Sequence, residues 1–225
     1  MRQLTRDAVP VTIDAGGGTE LHGLRYGTGP RAILLAHMGR PGDSQEDWAP
    51  VAVELADAGL TVVTYDRRGV CSSTLDTCST AGEAPLESWR DVVAATKHVR
   101  ALGSESVIVG GASLGAMETV DALRREDVEV DGIIWFAGVL SRDLSFERSD
   151  FADLPAVPKL FVSAEHDRYG AAEDARQAYE WSSEPRTLTI VPGSRHGTDL
   201  WENGIQEGPG RAVVDVLVDF ATSDG

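Results

Sequence analysis

Ser113 lies between glycines in the segment VIVGGASLGA, residues 107–116. The five residues from Gly111 to Gly115 match the pattern G-x-S-x-G, with an apolar run before them and the helical pattern AMETVDALRR after them. In a turn from strand to helix, this pattern lifts the serine hydroxyl above the end of the strand, and the glycines leave room for the turn. We therefore interpret Ser113 as a nucleophile; the alternative is an ordinary structural turn.

A serine hydroxyl is a weak nucleophile at neutral pH and needs a base to accept its proton. Among the five histidines, His196 lies in the segment VPGSRHGTDLW, directly after the last predicted strand and flanked by glycines. Such a loop can bring an imidazole over the edge of a sheet, so we predict that His196 is the base. The remaining histidines fall within predicted elements or in loops with another assignment, at His22, His37, His98 and His166.

The base needs a carboxylate that fixes its tautomer and stabilises the imidazolium. The segment LFVSAEHDRYG, at the end of the penultimate predicted strand, supplies Asp167, with Glu165 as the second candidate. The order Ser113, Asp167, His196, each after a strand, brings the three side chains to the carboxyl edge of a parallel sheet, where such sheets bind ligands. The alternative for Asp167 is a solvated turn aspartate or a helix cap.

A tetrahedral intermediate carries a negative oxygen, which needs backbone N–H donors already in position. Leu114, next to the candidate nucleophile, is one predicted donor. We predict the second in the loop MGRPG after the strand RAILLAH, where Gly39 is preferred to Met38 because glycine adopts unusual dihedral angles without a Cβ penalty. The alternative is a Gly-Pro turn that takes no part in chemistry.

Alternating strands and helices are predicted to position these residues. The segments VPVTID and ELHGLRYG flank a glycine-rich turn and predict an antiparallel hairpin. Helical patterns then separate short apolar runs, which predicts a mostly parallel sheet of about eight strands with helices on both faces. We expect a single α/β domain over residues 1–225. The apolar runs cover residues 31–37, 60–66, 106–111, 131–138, 157–164 and 186–193.

The composition is that of an ordinary folded protein, with 42% apolar and 25% charged residues. The formal net charge of −16 opposes binding to nucleic acid and to anionic membranes, so neither is expected as a partner. No apolar run reaches the ~18 residues of a membrane span. The N-terminal segment MRQLTRDAVPVTIDAGGG also lacks the apolar core of a signal peptide, so a cytoplasmic location is expected.

The two cysteines, Cys71 and Cys78, share one polar loop, GVCSSTLDTCSTAGE. We expect two thiols in a reducing compartment, with a local disulfide as the alternative. Their spacing, with no histidine nearby, does not fit a zinc site. Catalysis by the candidate residues Ser113, His196 and Asp167 implies neither a metal nor an organic cofactor.

With these segments together, the chain resembles the α/β-hydrolase superfamily over nearly its full length. LLAHMGRPGDSQEDW resembles the family's oxyanion segment, in which the second residue after histidine donates its amide; here that residue is Gly39. VVTYDRRGVCSS resembles the family's Asp-x-Arg-Gly-x-Gly-x-Ser turn, and LFVSAEHDRY resembles its acid turn. The chain departs from the family at Met38, where a glycine is usual, and at Val70-Cys71, where x-Gly is usual.

The resemblance implies an α/β-hydrolase fold with a minimal cap, because residues 138–156 leave room for no more. It is closest to small, nearly lidless members such as carboxylesterases and dienelactone-hydrolase-like enzymes. Together with the three candidate residues, the resemblance implies a serine hydrolase of esters, lactones or thioesters that forms an acyl-enzyme on Ser113. The alternatives are an acyltransferase with the same three residues and a non-catalytic binding protein on this fold.

Three aromatic residues adjoin the loops predicted to form the site, and they are candidates to line an apolar acyl pocket. The alternative is that they pack beneath those loops. They are Trp48, Tyr169 and Trp201.

Overall fold

The apolar runs of the sequence form one sheet. The computed structural model describes residues 8–70, 87–141, 144–202 and 204–223, and eight strands lie in these ranges. The strands are β1 Val9–Asp14, β2 Glu20–Tyr26, β3 Arg31–Ala36, β4 Thr61–Tyr65, β5 Ser106–Ala112, β6 Gly132–Phe136, β7 Lys159–Ala164 and β8 Arg186–Val191. Their order across the sheet is β1-β2-β4-β3-β5-β6-β7-β8.

The strand pairing confirms the predicted fold class. β1 and β2 form the antiparallel hairpin expected at the start of the chain, and β2 is also antiparallel to β4. The other pairs, from β4 through β3 to β8, are parallel. Every residue of β4, β6 and β7 is buried, as expected for strands that are covered on both faces.

The helical patterns between the strands form two groups of helices. The helices are α1 Ala49–Asp57, α2 Trp89–Ala101, α3 Leu114–Arg125, α4 Arg148–Ala152, α5 Ala171–Trp181 and α6 Gly208–Thr222, with 3₁₀ turns at Gln45–Trp48 and Gly197–Trp201. α1 contacts α6, whereas α2 contacts α3, α3 contacts α4, and α4 contacts α5, so the sheet has a layer of helices on each face. Within the described ranges, none of the helices combines the length and the hydropathy that a membrane span requires.

The crossover from β6 to β7 contains the predicted minimal cap. Its described residues include one helix, α4, which is five residues long. Phe151 of this helix is fully buried, and its ring packs edge-on against Trp135 at a centroid distance of 5.1 Å. The segment therefore closes the core beside the sheet instead of forming a separate lid.

The predictions for the two cysteines are not tested, because Cys71 and Cys78 lie outside the described residues.

A buried carboxylate fixes the far end of the loop that follows β3. Asp66, directly after β4, accepts hydrogen bonds from the Gln45 backbone N–H at 2.9 Å and from the Gln45 side-chain amide at 3.2 Å. The same amide donates to the His22 carbonyl of β2 at 3.1 Å. The loop that contains the candidate oxyanion residues is thus tied to two neighbouring strands.

We expect Asp66→Asn to change how stability depends on pH. Burial raises the pKa of Asp66 to about 6, against the hydrogen bonds from Gln45 that lower it. The pKa of an unfolded aspartate is about 4. Between about pH 4 and 6 the folded state therefore binds more protons than the unfolded state, and stability falls as the pH rises.

Because Asn does not titrate, the free energy of unfolding of the variant relative to wild type should increase between pH 4 and 7, by up to about 3 kcal/mol. Urea unfolding of both proteins at the two pH values measures this change. A difference that stays the same at both pH values would contradict a raised pKa for Asp66.

Candidate active site

Ser113 lies in a sharp turn between β5 and α3. Its backbone has φ 53° and ψ −117°, and Ala137 is the other non-glycine residue with positive φ in the described ranges. Such a conformation is strained for a residue with a Cβ atom, and strain of this kind is concentrated at functional sites. The Ser113 N–H donates to the Phe136 carbonyl of β6 at 2.9 Å, which holds the turn against the sheet.

The glycines on either side of Ser113 allow the turn to pack on the end of β3. A Cβ atom at Gly111 would lie 2.6 Å from the Ala36 carbonyl oxygen. A Cβ atom at Gly115 would lie 2.7 Å from the Ala36 carbonyl carbon and 2.8 Å from the His37 carbonyl oxygen. Both positions are closed by backbone atoms, so the pattern G-x-S-x-G reflects close packing of α3 against β3.

The side chains of Ser113, His196 and Asp167 form a continuous chain of hydrogen bonds. His196 Nε2 lies 2.8 Å from Ser113 Oγ, and His196 Nδ1 lies 2.8 Å from Asp167 Oδ2. The carboxylate can only accept, so Nδ1 carries the proton and Nε2 is free to accept one from the serine. The side chains of His196 and Asp167 are almost completely buried, which strengthens both interactions.

The turn after β7 distinguishes the two candidate acids. Asp167 Oδ1 accepts the Tyr169 backbone N–H at 2.8 Å, so the carboxylate has partners on both oxygens. The Glu165 side chain is 56% exposed, and its Oε2 lies 3.9 Å from His166 Nε2. Asp167, and not Glu165, is therefore the carboxylate that reaches His196.

The loop that contains His196 packs on the residue predicted as an alternative oxyanion donor. Gly197 has φ 52°, and a Cβ atom there would lie 2.5 Å from Met38 Sδ. The Met38 side chain is buried beneath this loop. The Met38 side chain therefore packs against the loop that contains His196.

The structure places the two preferred oxyanion residues side by side. Leu114 is the first residue of α3, so its N–H has no acceptor within the helix. Gly39 lies against it, since a Cβ atom at Gly39 would be 2.5 Å from Leu114 Cδ2. The expected reason for glycine was wrong: Gly39 has no left-handed φ, and close contact with Leu114 is what excludes a side chain.

The aromatic residues predicted to line a pocket have different environments. Trp48 has no exposed surface, donates its indole N–H to the Ala36 carbonyl at 3.0 Å, and packs against Phe136 and Trp201 at centroid distances of 6.1 and 5.3 Å. Trp201 is 5% exposed. Both tryptophans therefore pack beneath the site. Tyr169 is half-buried, and its ring meets His196 edge-on at 4.5 Å.

A cavity of about 690 Å³ opens beside the residues that flank His196 and Asp167. Its lining is charged and polar, unlike the apolar pocket expected from the sequence, and none of the three aromatic candidates contributes to it. The lining consists of Arg40, His166, Arg168, Ser194, Arg195, Asp199 and Glu202.

An ion pair that sequence reasoning missed joins the two loops of the site. Both terminal nitrogens of Arg40 donate to the carboxylate of Asp199, each at 2.7 Å. Partial burial alone would raise the pKa of Asp199, but the hydrogen bonds and charge of Arg40 hold that pKa below its ordinary value. The pair therefore links the loop after β3 to the loop of His196. Nothing in the local sequence of either residue indicates it.

No group of three or more histidine, cysteine, aspartate or glutamate residues in the described ranges could hold a metal ion.

The sheet order and the serine at the β5–α3 turn define the class of α/β hydrolases. The chain belongs to the alpha/beta hydrolase family, whose model matches residues 33–218. It is therefore a hydrolase of this family. A search of curated protein sequences finds no match to the chain.

Solved structures share the fold over nearly their whole length. A serine hydrolase without a lid from Xanthomonas campestris is 18% identical, with a TM-score of 0.72 and 98% of each chain covered. An esterase from Pyrococcus furiosus is 14% identical, with a TM-score of 0.75 and coverage of 97% of this chain and 93% of that one. An enol-lactonase from Burkholderia xenovorans is 16% identical, with a TM-score of 0.73 and coverage of 94% and 100%. At these identities the likeness establishes the fold.

We expect Gly115→Ala to destabilise the protein more than Gly39→Ala. The added methyl group at residue 115 would meet backbone atoms at the end of β3, which cannot move without disturbing the sheet. The group at residue 39 would meet side-chain atoms of Leu114, of which Cδ2 at 2.5 Å can rotate away and only Cβ at 2.9 Å must shift with the helix. Overpacking of this kind costs about 1–3 kcal/mol, with the rigid site at the upper end or beyond. Urea unfolding measures both losses; a Gly115→Ala protein as stable as wild type would contradict the packing described here.

Proposed function

We propose that this hydrolase cleaves carboxylic esters, lactones or thioesters through an acyl-enzyme on Ser113. The observation that carries the proposal is the chain of two 2.8 Å hydrogen bonds from Ser113 through His196 to Asp167. A nucleophile, a base and an orienting acid in this arrangement are the recurrent apparatus of acyl transfer.

In the first half of the proposed reaction, Ser113 Oγ attacks the acyl carbon while His196 Nε2 accepts the hydroxyl proton. The carbonyl oxygen becomes negative and receives hydrogen bonds from the N–H groups of Leu114 and Gly39. The intermediate then collapses: the bond to the leaving group breaks, and His196 returns its proton to the departing oxygen or sulfur. The products are the released alcohol or thiol and an ester on Ser113.

In the second half, water replaces the leaving group. His196 removes a proton from the water, which attacks the acyl carbon and forms a second tetrahedral intermediate at the same two N–H groups. Collapse releases the carboxylic acid and restores the Ser113 hydroxyl with the proton from His196. Asp167 remains ionised throughout and holds the imidazole in the tautomer that exposes Nε2 to the serine.

The short cap is one reason to propose small acyl substrates. Because α4 packs into the core, the described residues of the β6–β7 crossover form no helical lid, and the adjoining cavity is open and polar. The structural neighbours include an esterase and an enol-lactonase, and the hydrolysis of esters and lactones belongs to this class of reaction.

We also propose that the chain acts as a single domain in the cytoplasm and needs no cofactor. Its net charge of −16 opposes binding to nucleic acid and to anionic membranes, so neither is proposed as a partner.

Ser113→Ala should abolish both covalent labelling by a fluorophosphonate probe and hydrolysis of p-nitrophenyl acetate. The loss should reach about 10⁴-fold or more in kcat, because no other group replaces the nucleophile. The matched control is Ser183→Ala, an exposed serine in the turn before β8 and outside the cavity lining, which should label and turn over like wild type. Labelling that survives Ser113→Ala, or wild type that does not label, would contradict the mechanism.

Asp167→Asn should lower kcat by about 10⁴-fold, because an amide can donate to Nδ1 and stabilise the wrong imidazole tautomer. Glu165→Gln, two residues away and solvent-exposed, should leave kcat unchanged. Steady-state kinetics on both variants with p-nitrophenyl acetate tests the assignment. Equal losses at the two positions, or a loss at Glu165 alone, would overturn it.

The substrate class is tested with p-nitrophenyl esters of graded chain length, a lactone and a thioester. Wild type should prefer short acyl groups, since the cavity beside His196 and Asp167 is lined by charged and polar side chains, which do not favour a long alkyl chain. Adding an alcohol or hydroxylamine to the assay divides the acyl-enzyme between water and the second nucleophile. Predominant transfer to the alcohol at low concentration would identify an acyltransferase in place of a hydrolase.

A further inference from the structure

A buried arginine holds the loop on which Gly39 lies. Arg67 follows β4 by two residues and is 7% exposed. Its Nη1 donates to the Met38 carbonyl at 2.8 Å, and its Nη2 donates to the His37 carbonyl at 2.6 Å. One planar guanidinium therefore binds two successive carbonyl groups of the loop after β3.

His37 adds a second donor to the same carbonyl. Its Nδ1 lies 2.7 Å from the Met38 oxygen, and its Nε2 accepts the backbone N–H of Arg67 at 3.3 Å. Burial, together with the charge of Arg67, lowers the pKa of His37 well below its ordinary value. The imidazole is therefore neutral, with its proton on Nδ1, and the Met38 carbonyl oxygen receives two hydrogen bonds.

The orientation of this carbonyl fixes the orientation of the next amide. In a trans peptide the C=O of Met38 and the N–H of Gly39 point in opposite directions. While Arg67 and His37 hold the oxygen on their side, the Gly39 N–H must face away from them. Rotation of this peptide would break both hydrogen bonds, one of them to a buried charge, and would withdraw the second oxyanion donor.

The arginine is itself anchored to the helix of the nucleophile. Nη2 of Arg67 donates to Glu118 Oε2 at 3.2 Å, and Nε lies 3.0 Å from Oε1 as an ion-pair contact. Glu118 is buried on α3, five residues after Ser113, and also accepts a hydrogen bond from the Ser88 hydroxyl. The Leu114 amide and the Gly39 amide are thus connected through one chain of buried contacts.

We propose that Arg67 is a positioning residue that sets the Gly39 N–H as the second oxyanion donor, with Glu118 fixing the guanidinium relative to α3. The cation also polarises the Met38–Gly39 peptide and makes its N–H a stronger donor. This inference rests on the proposed function, because it assigns a role in stabilising the tetrahedral intermediate.

A neighbouring ion pair provides the control. Arg68 binds Asp91 of α2 through its backbone N–H at 2.8 Å and its Nε at 2.7 Å, and Asp91 is fully buried. Arg68 is thus a second arginine of the same turn, paired with a buried acid but bonded to α2 instead of to the oxyanion loop. Removing both members of either pair avoids leaving a buried charge without its partner.

The experiment compares Arg67→Met/Glu118→Gln with Arg68→Met/Asp91→Asn, alongside the single variants Arg67→Lys and Arg68→Lys. For p-nitrophenyl acetate we expect the first double variant to lose about 100-fold in kcat with KM within about threefold of wild type, the loss typical of one oxyanion donor. Its affinity for a boronic acid, which forms a tetrahedral adduct on serine, should fall by a similar factor. Arg67→Lys keeps the charge but cannot span both carbonyls, and should lose about tenfold.

The Arg68 variants should keep kcat and boronate affinity within about threefold of wild type, even where thermal unfolding shows a lower Tm. Equal kcat losses in the two double variants, or full kcat in a folded Arg67 variant, would overturn the inference. If a double variant does not fold, the two lysine variants decide in the same way. Activity of Ser113→Ala would instead overturn the proposed function itself, so the two failures are distinguishable.

Discussion

The close packing of α3 on the end of β3 is the constraint on which the site depends. Backbone atoms at the end of β3 fill the space where side chains at Gly111 and Gly115 would stand, so the turn can follow its course only because both residues are glycines. That course leaves Ser113 with its hydroxyl toward His196 and puts Leu114 against Gly39. Ser113 and Leu114 are therefore positioned by contacts between two backbones, whereas the loop of Gly39 is held by the side chains of Arg67 and His37.

The sequence predicted the fold class well, because the apolar runs that indicate strands and the periodic patterns that indicate helices are both local features. Continuous apolar runs of β-branched residues predict strands buried on both faces, and the structure contains such strands in the expected positions. The three residues of the candidate catalytic triad could be singled out because each follows a strand, and parallel topology brings strand ends together. They are Ser113, Asp167 and His196. Their roles remain proposals, whereas their proximity is a feature of the structure.

The sequence could not predict which aromatic and charged side chains face the site. Trp48 adjoins a site loop in sequence, but its side chain turns into the core because its indole N–H finds the Ala36 carbonyl there. Arg40 and Asp199 are separated by 159 residues and pair only after the two loops have been folded onto the sheet edge. Arg67 belongs to a recognisable turn, yet the carbonyls that it binds lie on another segment, so its partners become visible only in three dimensions.

The positive φ of Ser113 also limits where mutations can stabilise this protein. A left-handed residue with a Cβ atom makes the folded state less stable than glycine would at the same place. Glycine would relax the turn, but it would remove the hydroxyl that the site is built around. In the proposed mechanism, selection for stability and selection for reactivity therefore act in opposite directions at this one position, and stabilising changes accumulate elsewhere in the sheet and its helices.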